Sequence, residues 1–272
     1  MKLTRKNFLA FLIVMLVSMA TIFAAGTKEK EDVSLHHVQE EGVFVLGLDD
    51  SFPPMGFRDE NGEIVGFDID TAREVCKRLG VELKCQPIDW AAKEQELTTG
   101  MIDCIWNGFT KTPEREKVMC FSKPYVKNAQ VVVVKADSPY QTLADLAGKS
   151  LGLQAGSSAQ DAVSDMPGFE DSLKEIVGFK ENLTALMDLE IGGVDAVALD
   201  LLVANDNIKR SGKDFRILDE TLVEEEYAIG FRKNDIALKD AVDNALLEMA
   251  KDGTLAKIAE KWFGADITVV GK

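Results

Sequence analysis

FDIDTAREVCKRLGVELKCQPI, residues 67–88, decides the fold. Ile69, Ala72, Val75, Cys76 and Leu79 recur at helical spacing and give Phe67–Leu79 one apolar face. Gly80 ends that helix, and Val81–Ile88 follows as a strand. Upstream, Val43–Leu48 reads as another strand, so the segment is a β-α-β unit. Downstream the spacing predicts a helix over Ala92–Thr99, a strand over Ile102–Trp106 and a short helix opening at Pro113, a residue suited to a first turn. The rhythm restarts at Ala129. Strands are predicted at Val131–Lys135, Ser150–Gln154, Glu175–Phe179, Asp195–Leu199 and Phe215–Leu218, with helices at Leu143–Ala147, Ser158–Ser164, Leu183–Leu189 and Leu201–Lys209 between them. Glu226–Phe231 is a last strand before helices from Ala237 to Phe263. The class is α/β, with two mainly parallel sheets flanked by helices. Ligands of such sheets sit beyond the carboxyl ends of the strands, so two blocks imply a cleft between facing strand ends.

Composition narrows the function. The 272 residues suit one large domain or two small ones, and the net charge of −15 argues against a nucleic-acid partner. Lys2, Arg5 and Lys6 precede an apolar run from Phe8 to Phe23, followed by Ala24, Ala25 and Gly26. That is the layout of a signal peptide over 1–25, and the run falls short of the roughly 20 residues that span a bilayer. A secreted protein, periplasmic or extracellular, is expected; retention of the segment would tether it to the membrane. Residues 26–41 read as a polar linker, which places His36 and His37 on the surface rather than on a metal. Cys76, Cys85, Cys104 and Cys120 lack the close C-x-x-C pairs of a zinc site, and export permits disulfides among them.

Catalytic machinery is not evident. The sequence has no H-E-x-x-H, no G-x-S-x-G and no complete phosphate loop, and no histidine beyond the linker. No cofactor is implied. What the strand ends offer instead is a set of complementary polar groups. Gly156-Ser157-Ser158 opens a helix whose free N–H groups suit an anion. Arg115, just past the strand ending at Trp106, can grip a carboxylate with two parallel hydrogen bonds. Asp200, at the end of Asp195–Leu199, can hold an ammonium, or merely cap the next helix. Phe52 and Trp90 are aromatics on loops. Together these suit a zwitterion: an anion clamp, a cation acceptor and an apolar slot.

The chain resembles the periplasmic polar-amino-acid-binding proteins, solute receptors of amino-acid ABC transporters. Gly66-Phe67-Asp68-Ile69-Asp70 looks like that family's G-F-D-x-D signature. Gly108-Phe109-Thr110-Lys111-Thr112-Pro113-Glu114-Arg115, Phe121-Ser122-Lys123-Pro124-Tyr125, Leu146-Ala147-Gly148-Lys149, Gly156-Ser157-Ser158, Val194-Asp195-Ala196 and Lys261-Trp262-Phe263-Gly264 continue in family order. The resemblance implies a type II periplasmic-binding-protein-like fold. Lobe 1 would be 42–125 plus 230–272 and lobe 2 would be 130–225, joined by hinge strands at 126–129 and 226–229. It implies ligand-binding roles for Asp49, Phe52, Trp90, Gly108, Thr110, Arg115, Ser158 and Asp200. Arg115, Thr110 and Ser158 would hold the carboxylate, Asp200 and the backbone near Gly108 the ammonium, and Phe52 and Trp90 the side chain over Asp49. It also suggests a Cys76–Cys85 disulfide, at a spacing two residues longer than in relatives. The implied partners are an amino acid and a membrane permease, with the receptor a monomer.

Two further expectations concern the ligand and a rival activity. Acidic Asp49, Asp50 and Glu94 favour a neutral polar or cationic amino acid or cystine, unless Lys93 or Lys111 points inward. A few proteins of this architecture are cyclohexadienyl dehydratases, and the sequence places no second acid near Asp200, which counts against that chemistry. A ligand-sensing role acting on a membrane receptor is the third reading.

Overall fold

The computed structural model describes residues 32–272, of which Ser34–Lys272 form one compact unit. The export segment expected over 1–25 lies outside the described residues. The chain opens with α1 (Ser34–Glu41), β1 (Val43–Leu48) and three short strands, β2 (Ser51–Phe52), β3 (Gly56–Arg58) and β4 (Ile64–Val65). There follow α2 (Phe67–Leu79), β5 (Glu82–Pro87), α3 (Lys93–Thr98), β6 (Cys104–Ile105), α4 (Pro113–Val118), β7 (Met119–Phe121) and β8 (Val126–Lys135). Next come β9 (Ser150–Gln154), α5 (Ser158–Asp165), α6 (Phe169–Ser172), β10 (Glu175–Phe179), α7 (Asn182–Ile191), β11 (Ala196–Asp200) and α8 (Leu201–Ser211). The chain closes with β12 (Phe215–Tyr227), β13 (Gly230–Arg232), α9 (Ile236–Asp252) and α10 (Thr254–Phe263).

Two five-stranded sheets organise the molecule into two lobes, in the orders β5-β1-β6-β13-β7 and β10-β9-β11-β8-β12. In each, four strands run one way and a single strand runs against them: β13 in the first sheet and β8 in the second. The reason is topological. β8 is where the chain enters the second sheet, and β13 is where it returns to the first. Both start at the cleft, where the other strands end, so both run backwards. The expected mainly parallel sheets are therefore mixed in their pairing. At the crossing the start of β8 and the end of β12, which leads into β13, lie side by side, with Val126 opposite Tyr227. The C-terminal tail braces this crossing: Thr268 bridges Val126, and the Val269 N–H donates to the Tyr125 carbonyl at 2.9 Å.

α2 forms as its sequence predicts. Asp68 and Asp70 occupy its first turn, Lys77 and Arg78 its last, and Gly80 closes it in the left-handed conformation at φ 76°. Its start is held by Gly66, whose φ of 142° lets the chain turn against the Met55 carbonyl. One expectation fails at the N-terminus. Residues 34–41 are not linker but helix α1, because Leu35 packs on the core and Val38 is buried.

Candidate functional site

The carboxyl edges of both sheets meet at one small cleft, and all eight expected ligand residues line it. From the first sheet come Asp49 after β1, Phe52 on β2, Trp90 after β5, and Gly108, Thr110 and Arg115 after β6. From the second come Ser158 at the head of α5 and Asp200 at the end of β11. Asn107, Gln154 and Ser157 also line the cleft and were not among the expected residues.

Arg115 is not the surface residue that its acidic neighbours suggest. Pro113 starts α4 and Thr112 caps it, accepting the Arg115 N–H, which fixes the helix and points the side chain inward. The guanidinium is only 6% exposed and lies 4.5 Å from the centre of the Phe109 ring. Nη1 donates to the Thr110 carbonyl at 2.8 Å and Nη2 reaches the Gly156 carbonyl at 3.5 Å. Glu116 pairs instead with Lys111 at 3.0 Å. Ser158 and Thr110 share a 3.0 Å hydroxyl hydrogen bond beside it. A cation, two hydroxyls and the N-terminus of α5 thus share one end of the cleft.

Asp200 occupies the N-cap position of α8 but does not cap it. Its Oδ1 instead accepts from Tyr227 Oη at 2.6 Å, and from Asn128 Nδ2 and Gln130 Nε2 at 2.9 Å each. Burial pushes its carboxyl well above the ordinary range, and the charge of Glu225 pushes it further. Glu225 corrects the sequence reading: a second acid does stand beside Asp200, taking hydrogen bonds from the same two amides at 2.6 and 2.9 Å.

Asp49 forms the floor. Its Oδ2 accepts from Gln154 Nε2 at 2.7 Å across the cleft, and burial raises its carboxyl to about 6 against the pull of Gln154 and Ser51 hydrogen bonds. The two lysines that were candidates for an inward charge are otherwise engaged. Lys93 is buried, but its Nζ donates to the Trp90 carbonyl at 3.1 Å and the Gly156 carbonyl at 2.8 Å; Lys111 is bound to Glu116.

The two aspartates of Gly66–Asp70 hold this site from behind. Asp68 is fully buried and accepts the Gly108 N–H at 2.7 Å and the Tyr125 hydroxyl at 3.1 Å, tying the cleft loop to the crossing. Asp70 binds Lys261 and Trp262 of α10. Burial raises the Asp68 carboxyl to about 7 despite its two donors. Because this lies above the unfolded value, the stability it contributes is present below about pH 4 and is lost as pH rises through about 7. Its loss is worth about 4 kcal/mol at roughly 1.4 kcal/mol per tenfold change in proton affinity. Asp68→Asn should flatten that slope. The difference in melting temperature between variant and wild type is expected to shift in favour of the variant from pH 5 to pH 8. A pH-independent difference would contradict the buried titration.

Cys76, Cys85, Cys104 and Cys120 are free thiols, so the Cys76–Cys85 bridge suggested by resemblance is not formed in this structure. Burial raises the Cys76 thiol to about 12. Among the described residues no helix is long and apolar enough to cross a membrane.

Comparison with known proteins agrees with the fold. The chain is 32% identical over 256 residues to the L-cystine-binding protein TcyJ of Escherichia coli strain K12, covering 92% of this chain and 94% of that one. It is also 32% identical over 223 residues to ABC transporter arginine-binding protein 1 of the same strain, covering 80% and 89%. A substrate-binding protein of an ABC uptake transporter from Streptococcus pneumoniae, solved with bound histidine, superposes with a TM-score of 0.85 at 37% identity, covering 88% of this chain and 99% of that one. These relatives are named as binding proteins. The family model for bacterial extracellular solute-binding proteins, family 3, matches residues 44–265, and the chain belongs to that family.

Proposed function

We propose that this protein captures an α-amino acid outside the cytoplasm and delivers it to the membrane permease of an ABC transporter. One observation carries the reading: Arg115 and Asp200, from different sheets, line the same small cleft. Arg115, with Thr110 and Ser158, takes the carboxylate; Asp200 and the Gly108 backbone take the ammonium; Phe52 and Trp90 flank the side chain above Asp49. Each buried charge then has a partner of opposite sign. The crossings at 126–129 and 226–229 act as the hinge between lobe 1 (42–125 and 230–272) and lobe 2 (130–225), so the ligand selects the closed form. Residues 1–25 direct export, and the receptor works as a monomer without a cofactor.

The acidic floor at Asp49, with Lys93 and Lys111 turned elsewhere, favours a neutral polar or cationic amino acid or cystine. A thermal-shift screen of the twenty amino acids and cystine tests this. A ligand at 100 times its Kd stabilises by about 2.7 kcal/mol, or roughly 5–11 °C for a chain of this size. Aspartate and glutamate should give no shift; a best response to either, or to no amino acid, would overturn the reading. The protein is proposed not to be an enzyme. Asp200 and Glu225 do supply paired carboxyls, but a dehydratase also needs a lysine in the pocket, and Lys93 is bound to carbonyls. Turnover of a prephenate-like acid would reverse this assignment.

A further inference from the structure

The ammonium end of the cleft is built on three adjacent strands of one sheet. β8 lies between β11 and β12, with Asp200 opposite Gln130 on one side and Glu225 opposite Asn128 on the other. Asn128 and Gln130 are two residues apart, so their side chains share a face of β8. Each amide nitrogen accordingly donates to both carboxyls: Asn128 Nδ2 to Asp200 at 2.9 Å and Glu225 at 2.6 Å, Gln130 Nε2 to each at 2.9 Å. Two carboxyls are thus held around the same two donors. Glu225 Oε2 is buried and has no hydrogen-bond partner among the described residues.

Among the described residues no lysine or arginine forms an ion pair with either carboxyl. The charged and titratable groups that line the grooves beside the pair or act on it are Arg115 of α4, Lys111 and Glu114 beside it, Asp161 and Asp165 of α5, Lys127 of β8, and Glu224, Glu226 and Tyr227 of β12. Arg115 donates to carbonyls and Lys111 pairs with Glu116, while Tyr227 gives Asp200 only a neutral hydroxyl. Asp200, buried and sharing its donors with a second carboxyl, therefore retains its proton well above the ordinary carboxylate range. An ammonium arriving at Asp200 supplies the missing positive charge.

We propose that Glu225 is the second carboxyl of the ammonium subsite: held against Asp200 by shared donors, it keeps a proton on that aspartate, and the ligand ammonium displaces that proton to the solvent. This rests on the amino-acid reading above. The charges balance: a pair bearing one negative charge takes up one ammonium, and the released proton passes to buffer. Glu225 lines grooves on two sides of the crossing, one shared with Thr110 and Ser158 and one with Lys127 and Leu201, which gives the proton an exit that avoids the ligand. Because the pair lies within one sheet, its charge state is set before the lobes close. Glu225 acts through Asn128 and Gln130 and is a positioning residue, which no strand-end rule marks.

The test begins without ligand. Carbon-13 NMR titration of labelled aspartate and glutamate carboxyls should show Asp200 protonated well above the ordinary carboxylate range. In Glu225→Gln its midpoint should fall by at least about one pH unit. Glu225→Asp, which keeps the charge, should keep the high midpoint. An Asp200 midpoint unchanged in Glu225→Gln overturns the proposal whatever the ligand. Calorimetry with L-arginine and with L-cystine, in buffers of different ionisation heat, gives the second readout. Wild type should release close to one proton per ligand near pH 6, and Glu225→Gln less than about half of that. Equal release by both proteins also overturns it. Absence of heat with either amino acid or with any other of the screen would strike the proposed function, while the ligand-free titration still decides the role of Glu225.

Discussion

Arg115→Ala is expected to weaken binding of the cognate amino acid by roughly 2–5 kcal/mol, a loss of about 30- to 5000-fold in Kd. The size follows from where the guanidinium sits. It is 6% exposed, stacked on Phe109 and held in place by the Thr110 carbonyl, so water cannot replace it at the ligand carboxylate. Removing it leaves that carboxylate buried without a counter-charge, which is the costly way to break an ion pair. Arg115→Lys should recover only part of the loss, because a point charge cannot reproduce two parallel hydrogen bonds. Calorimetric titration of both variants measures this directly. Affinity within threefold of wild type for the alanine variant would remove Arg115 from the clamp.

Gly66→Ala should be the most damaging single methyl in the protein's first lobe. A Cβ there would stand 2.1 Å from the Met55 carbonyl oxygen and 2.6 Å from its carbon, both backbone atoms, at a φ of +142°. Nothing nearby is free to move, since that carbonyl accepts the Asp68 N–H and the Pro54 carbonyl accepts that of Phe67, both at 2.9 Å. Combining overpacking with a backbone region closed to L side chains gives a loss on the order of 4 kcal/mol. That corresponds to a fall in Tm of about 8–16 °C. Gly62→Ala is the control. Its φ is +82° but its Cβ would meet open space, so it should cost only about 1 kcal/mol. Equal losses in the two variants would show that steric contact with Met55 is not what demands glycine at position 66.

Much of the cleft is legible in the sequence because one rule, that ligands gather at the carboxyl ends of strands, applies to most of it. Asp49, Gly108 and Ser158 follow, and Asp200 ends, a strand that apolar runs mark clearly. Gln154 obeys the same rule and is missed only because an amide ending a strand suggests no particular chemistry. The residues behind Asp200 are hidden for a deeper reason. Asn128 and Gln130 lie at the amino end of β8, and β8 runs backwards, so the end that faces the cleft is the one the rule ignores. The same polar residues break the apolar pattern, which is why the strand was expected only from Val131 and begins at Val126. β12 is obscured likewise: Asp219, Glu220, Glu224 and Glu225 fall between the strands expected at Phe215–Leu218 and Glu226–Phe231, yet pairing along β8 with two register shifts keeps one strand continuous from Phe215 to Tyr227. Whether a stretch is strand there depends on a partner far away in the chain, and no local pattern records it.

The direct bonds that cross the cleft carry a consequence for how the receptor is tuned. Gln154 reaches Asp49 at 2.7 Å, Thr110 meets Ser158 at 3.0 Å, and Lys93 spans to the Gly156 carbonyl at 2.8 Å. In the proposed hinge closure these links supply a driving force of their own, separate from recognition. Apparent affinity scales with the fraction of molecules already competent to bind. Evolution can therefore reset the nutrient level at which import begins by strengthening or loosening a latch such as Lys93, with the choice of nutrient left untouched.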